Sequence, residues 1–109
     1  MRLFELKNNY PSTPLVYVDM DGVLADFFGA VAKIHGVKHW SEVKRKSESD
    51  TRAAKIPGFF EKLDELPHAT KLIRGVMHIA GSYSILSSPL QSDVEKSVDE
   101  KGRWIRNHL

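Results

Sequence analysis

Residues 15–27 read Leu15-Val16-Tyr17-Val18-Asp19-Met20-Asp21-Gly22-Val23-Leu24-Ala25-Asp26-Phe27 and decide the fold of this chain. The first four are apolar, too few for a helix and rich in β-branched side chains. They predict a strand buried on both faces, as in a parallel sheet. Alternate residues of a strand point to one side, so we expect Asp19 and Asp21 at its carboxyl end, where open α/β sheets bind ligands. Adjacent acids repel each other unless a cation or a reaction uses them. The alternative is a solvated Asp-x-Asp-Gly turn.

The composition is that of one small globular domain. The chain has 109 residues, of which 41% are hydrophobic and 28% charged, which is ordinary for a folded protein. The net charge of +2 is too small to indicate a nucleic-acid partner. Cysteine is absent, which excludes a disulfide framework and a thiolate metal site. Because the sequence shows no apolar run of about 18 residues and no signal peptide, we expect a cytoplasmic protein without a membrane partner.

The rest of the chain predicts a second strand beside the first. Apolar residues at helical spacing follow Asp21 up to Gly36, a further helix runs from Pro67 to Gly81, and a strand follows from residue 82. Strand, helix and strand at this spacing imply a right-handed parallel crossover. Ser87 and Ser88 then lie at the same edge as the two acids, unless they serve only as turn residues. Residues 3–6 predict a small extra strand.

Lys101 interrupts the apolar stripe of the last predicted helix. Val94, Val98 and Ile105 share its helical face, where an ammonium is costly to bury. One interpretation is that the lysine stem packs on the core and its head reaches water. The other is that Lys101 points from an early helical turn into an anion site. Residues 97–100 form a capping-box pattern just before it, and residues 92–95 offer a competing start.

Four segments together resemble the haloacid dehalogenase-like phosphohydrolases, and more narrowly their 5'(3')-deoxyribonucleotidase branch. The string from Asp19 to Phe27 resembles the first motif of that family. Ile56-Pro57-Gly58-Phe59-Phe60, Ser87-Ser88-Pro89 and Glu100-Lys101-Gly102-Arg103-Trp104 resemble later segments. The resemblance covers residues 14–109.

The resemblance implies an α/β fold with a Rossmann-like three-layer core, a parallel sheet covered by helices on both faces. Residues 14–26 and 67–109 would form this core, and residues 27–66, approximately, would form a small helical cap within one domain. The family's C-terminal motifs, which include paired acids, have no counterpart in the chain. We therefore expect a core that is truncated on its C-terminal side.

The resemblance also implies a Mg²⁺-dependent phosphohydrolase that acts on (deoxy)nucleoside monophosphates through an aspartyl-phosphate. Asp19 would be the nucleophile and Asp21 the general acid and base. The Asp19 carboxylate and the Asp21 backbone carbonyl would bind Mg²⁺. Phosphate or substrate would be bound by Gly22, Ser87, Ser88 and Lys101. Phe27 is left open between a core residue and a wall of the nucleobase pocket, while Phe59 and Phe60 are expected to pack between cap and core.

Three hypotheses about the whole chain remain open. It is the N-terminal portion of a phosphatase, completed by a second polypeptide or simply truncated, and active only when complete. Alternatively it is a self-associating relative that binds a nucleotide or phosphate without turnover, or an interaction module with vestigial acids. The last is disfavoured, because a structural role needs none of the polar residues collected at the sheet edge.

Overall fold

The computed structural model describes residues 2–7, as backbone only, and residues 15–109 in full. The fold is α/β. In chain order its elements are β1 (Arg2–Lys7), β2 (Tyr17–Asp19), α1 (Phe27–Ile34), α2 (Ser49–Ala54), α3 (Ala69–Ala80), β3 (Ser82–Leu86) and α4 (Val94–His108), with short 3-10 helices at Trp40–Glu42 and Lys46–Glu48. Over these ranges no helix combines the length and apolarity needed to cross a membrane.

The strands form one sheet in the order β1-β3-β2. β2 runs parallel to β3, with Asp19 opposite Leu86, which confirms the predicted parallel crossover. β1 confirms the extra strand predicted at residues 3–6, and it pairs antiparallel with β3. The register places the residues that follow Asp19 beside those that follow Leu86, at the carboxyl ends of the parallel pair.

The expectation that the first strand is buried on both faces is wrong for the part of the chain described. Val18 is buried, whereas Tyr17 is 46% and Leu15 80% exposed. The reason is topological, because β2 lies at the edge of the sheet and not between two strands. A full three-layer core is therefore not seen in these elements.

The core lies between the sheet, α1 and α4, and it includes residues from the segment that was assigned to the cap. Ala53, Phe59, Phe60 and Leu63 belong to the same buried cluster as Trp104. The Trp104 indole donates a hydrogen bond of 2.8 Å to the Leu63 carbonyl. A boundary between core and cap at residues 27 and 66 stays a prediction.

Helix ends follow local capping chemistry. Asp26 caps α1 by accepting from the Gly29 amide, and α3 ends at Gly81, which has the left-handed φ of 76° that favours glycine. α4 begins after Asp93, whose carboxylate accepts from Lys96 N, so a start at Ser97 is wrong. The Ser97 hydroxyl instead donates to the Val94 carbonyl. Lys101 consequently lies in the middle of α4 and not in an early turn.

An apolar groove of about 580 Å³ runs along α3 beside β2 and is here called the α3 groove. The residues that line it are Val16, His68, Lys71, Leu72, Gly75, Val76, Ile79 and Ala80. Ile79 is 80% and Leu72 36% exposed. Part of the apolar surface of α3 is therefore uncovered by the described residues, although Val76 and Ala80 pack inward.

Candidate functional site

The Lys101 ammonium is the centre of a buried polar network. Its Nζ donates to Asp21 Oδ2 at 2.9 Å, to Ser87 Oγ at 2.6 Å and to the Ser88 carbonyl at 2.7 Å. These partners come from the loops after β2 and β3, and the lysine reaches them from α4. The sheet register brings the two loops together, and the helix packs across them.

The lysine is held inside the protein and does not reach water. Its side chain is 1% exposed, and Nζ lies 4.6 Å from the centre of the Phe60 ring. The interpretation in which the lysine head extends into solvent is therefore wrong. A buried ammonium is tolerated when hydrogen bonds and an opposite charge replace its hydration, and the network and the ring face supply these contacts.

The Asp21 carboxylate is bound on one oxygen only. Oδ2 accepts from Lys101, and Ser87 Oγ lies 3.4 Å away from the same oxygen. Oδ1 is buried and has no hydrogen-bond partner among the described residues. Leaving a buried acceptor unpaired costs free energy. Asp21 Oδ1 is therefore able to bind a proton or to accept a hydrogen bond from a further donor.

Asp19 occupies a different environment from Asp21. It is exposed at the end of β2 and lines a cleft of about 310 Å³ with Tyr17, Leu86, Ser87 and Ser88. The structure thus separates the acids that the sequence places together, with one carboxylate open to the cleft and the other inside the lysine network. Ser87 contributes to both, because it lines the cleft and contacts Lys101.

Gly22 shapes the turn after Asp21. Its φ of +79° lies in the left-handed region, and a Cβ there would come within 2.6 Å of the Phe28 ring. The Gly22 amide donates to the Ala25 carbonyl at 2.9 Å. The turn therefore requires glycine for conformation and space, and a phosphate contact from Gly22 stays a prediction.

Phe27 lies in an aromatic cluster with Phe59 and Phe60. Its ring stacks parallel to that of Phe60, with centroids 6.0 Å apart, and meets Phe59 edge-on at 6.1 Å. Phe59 and Phe60 are buried, as expected for packing residues, whereas Phe27 is only partly buried. Phe27 is therefore a packing residue that keeps some surface, and its role in base binding stays a prediction.

Glu100 also belongs to this region, although the sequence did not predict it as a site residue. Its buried carboxylate accepts hydrogen bonds from the backbone amides of Gly58 and Phe60. The sequence offered one signal: Glu100 precedes Lys101 directly and lies four residues before Trp104, so that it shares a helix face with the tryptophan.

The described side chains offer few ligands for a divalent cation. Within residues 15–109 no three His, Asp or Glu side chains cluster as a metal site. Mg²⁺ is commonly bound through one or two carboxylates, with water and substrate phosphate as the other ligands. The exposed Asp19 carboxylate suits such a site, and the engaged Asp21 carboxylate does not.

The fold and site define an α/β protein in which a buried lysine joins an aspartate and a serine, beside a cleft that exposes a second aspartate. No protein-family model matches the chain.

The chain is similar to curated proteins that carry the name "Putative 5'(3')-deoxyribonucleotidase". The relative from Staphylococcus epidermidis is 29% identical over 86% of this chain and 59% of its own length. The relative from Bordetella pertussis is 30% identical over 87% of this chain and 60% of its own length, and that from Bordetella bronchiseptica is 28% identical over the same shares. The chain therefore spans about three fifths of the length of the curated relatives it matches.

Proposed function

We propose that the chain is a phosphohydrolase module that removes phosphate from (deoxy)nucleoside monophosphates through a covalent intermediate on Asp19. The observation that carries the proposal is the buried Lys101 ammonium beside the cleft that exposes Asp19. The names of the curated relatives support a nucleotide as the substrate class.

The phosphate would bind in the cleft between Asp19 and the loop after β3. Ser87 and Ser88 line that cleft, and Lys101 is in contact with both serines. An anion in the cleft attracts the ammonium and competes with Asp21 for it. Phosphate binding would then draw Lys101 Nζ toward the phosphoryl oxygens, and Asp21 would lose its counter-charge.

The two carboxylates would divide the chemistry according to their environments. Once Lys101 has moved to the phosphate, Asp21 would take up a proton from solvent. An Asp19 oxygen attacks phosphorus, the bond from phosphorus to the sugar oxygen breaks, and Asp21 gives that proton to the sugar oxygen. Asp21 then takes a proton from water, and the resulting hydroxide attacks the phosphorus bound to Asp19. This releases phosphate and restores both carboxylates. The different surroundings of Asp19 and Asp21 support this division.

Mg²⁺ is proposed as the cofactor. The Asp19 carboxylate and the Asp21 backbone carbonyl would hold it, with water and phosphate oxygens completing its shell. The ion would supply positive charge that offsets the negative charge of the phosphoryl group. Lys101 supplies further positive charge from the protein side.

The finer expectation for the fold is also a proposal. We infer that a further strand pairs with β2 and that the sheet belongs to a three-layer core. The uncovered α3 groove and the position of β2 at the sheet edge support this inference. A cytoplasmic location stays a prediction.

The test is phosphate release from a panel of deoxynucleoside monophosphates in the presence of Mg²⁺. The chain is compared with Asp19→Asn and with the matched control Asp99→Asn, which changes an exposed carboxylate on α4. Release that disappears in Asp19→Asn and persists in Asp99→Asn supports the proposal. Equal release from all three proteins contradicts it.

A second candidate is a self-associating module that binds a nucleotide or phosphate without turnover. The α3 groove favours it, because exposed apolar patches often mark contact surfaces. Sedimentation equilibrium over a range of concentrations distinguishes the two candidates. A self-associating module should show a molar mass that rises with protein concentration, and its Ile79→Asp variant should remain a monomer. It should also release no phosphate.

A further inference from the structure

Glu100 holds a backbone turn with both of its carboxylate oxygens. The residue is 5% exposed. Oε2 accepts from the Gly58 amide at 2.9 Å, and Oε1 accepts from the Phe60 amide at 3.1 Å. Lys96, one turn earlier on α4, forms an ion pair with the same carboxylate at 3.0 Å. The positive charge and the two amides replace the water that burial removes.

The segment from Gly58 to Leu63 is thereby attached to α4 at both ends. Glu100 binds its beginning, and the Trp104 indole binds the Leu63 carbonyl at its end. Gly58 has a φ of +72°, so the turn has a conformation that few residues adopt without strain. Lys101 projects from the same turn of α4 that carries Glu100, and the helix therefore positions the lysine and the segment together.

Phe60 connects this attachment to the candidate site. Its amide is held by Glu100, and its ring lies under the Lys101 ammonium and parallel to the Phe27 ring. A shift of the Phe60 backbone would move the surface on which Lys101 and Phe27 both rest. Phe60 itself is 1% exposed, so its position can affect a bound ligand only through Lys101 and Phe27.

We propose that Glu100 is a positioning residue that couples the phosphate end of the site to its aromatic wall. The inference rests on the proposed function, in which Lys101 binds the phosphate, and on the predicted role of Phe27 as a wall of the nucleobase pocket. Glu100 would fix the position of Phe27 relative to Lys101 through the Phe60 ring, which contacts both. It would favour a nucleotide over a phosphate ester that lacks a base.

Glu100→Gln tests the coupling, because a glutamine offers a single acceptor oxygen and cannot satisfy both amides. We compare kcat/KM for a deoxynucleoside monophosphate with kcat/KM for 2-deoxyribose 5-phosphate, which carries no base. A displaced Phe27 should lower the first value by about 10- to 100-fold. The second should change little, because hydrogen bonds to Asp21, Ser87 and Ser88 still hold the Lys101 ammonium. The control Glu95→Gln, on the exposed first turn of α4, should change neither value. An equal loss for both substrates, or no loss, overturns the proposal.

Hydrogen exchange tests the attachment without any catalysis. In the parent chain the Gly58 and Phe60 amides should exchange slowly, and in Glu100→Gln both should exchange at least about tenfold faster, with the α3 amides unchanged. Unchanged exchange at Gly58 and Phe60 overturns the proposal even if the enzyme is active. A parent chain without Asp19-dependent turnover refutes the proposed function, and the exchange result then decides the attachment separately.

Glu100→Asp is the conservative variant, for use if the glutamine variant does not fold. It keeps both oxygens on a side chain that is one methylene shorter. It should retain part of the preference for the nucleotide and part of the exchange protection. The proposal is overturned if a folded Glu100→Asp loses the exchange protection completely and loses activity equally on the nucleotide and on the base-free ester.

Discussion

Lys101→Met isolates the contribution of the buried ammonium. Methionine has a similar length and is apolar, so it should keep the packing against Phe60 while it removes the charge and three hydrogen bonds. The change affects the stability of the fold and the proposed binding of phosphate, and the structure sets an expectation for each.

The cost in stability is the difference between two opposing terms. Hydrogen bonds from a charged donor contribute about 1.5–3 kcal/mol each, and desolvating an ammonium costs several kcal/mol. The side chain of Asp21 is 24% exposed, so water can take over part of its lost contact. We expect a net loss of about 1–3 kcal/mol in the free energy of unfolding.

The effect on phosphate binding is expected to be similar in size to the effect on the fold, and it is measured separately. A ligand at 100 times its dissociation constant stabilises the folded state by about 2.7 kcal/mol. Urea denaturation with and without inorganic phosphate should show such stabilisation in the parent chain and in the control Lys33→Met, which changes an exposed lysine on α1. Lys101→Met should lose it. Equal stabilisation by phosphate in Lys101→Met and the parent chain would refute the assignment of Lys101 as an anion-binding residue.

Three further predictions concern the scaffold. Gly81→Ala places a side chain at φ 76° and should destabilise the chain by about 1–2 kcal/mol. Gly75→Ala lies on the same helix with open space around its Cβ, and it should stabilise the chain by about 0.5–1 kcal/mol. Melting temperatures that shift in the same direction in the two variants would contradict these predictions. Burial raises the pKa of Tyr83, so the stabilising contribution of this residue is complete below about pH 10 and falls as the pH rises through the pKa of the folded state. Tyr83→Phe should remove this part of the loss of stability at high pH. An unchanged dependence of the free energy of unfolding on pH, measured by urea denaturation at pH 8–11, would argue against it. Trp104→Phe leaves the Leu63 carbonyl unpaired in the core and should cost about 2–4 kcal/mol in urea denaturation, and a cost below about 1 kcal/mol would show that the bond matters little.

Local pattern was sufficient to predict much of the fold. The apolar run before Asp19 predicted β2, and the segment from Pro67 to Gly81 contained α3, which begins at Ala69. The parallel pairing followed from chain order alone. The exposure of β2 could not be predicted in this way, because it depends on which strand lies at the edge of the sheet and not on the strand's own residues.

The site shows the same limit at the level of side chains. Asp21, Ser87 and Lys101 were each predicted at the carboxyl edge, and the structure brings them into contact. The sequence could not show that Lys101 lies mid-helix, since two capping patterns compete. In the structure α4 begins after Asp93, within the earlier pattern. Nor could it reveal the partners of Glu100, because they are backbone amides about forty residues away.

A labelling experiment tests the proposed covalent step on Asp19 directly. The chain is mixed with a radiolabelled deoxynucleoside monophosphate and Mg²⁺, quenched in acid within the first turnover, and digested for mass spectrometry. We expect a label on the peptide that contains Asp19. Hydroxylamine should release this label, and the same peptide of Asp19→Asn should carry none. Phosphate release with no label on that peptide, or with a stable label on Ser87, would contradict the account.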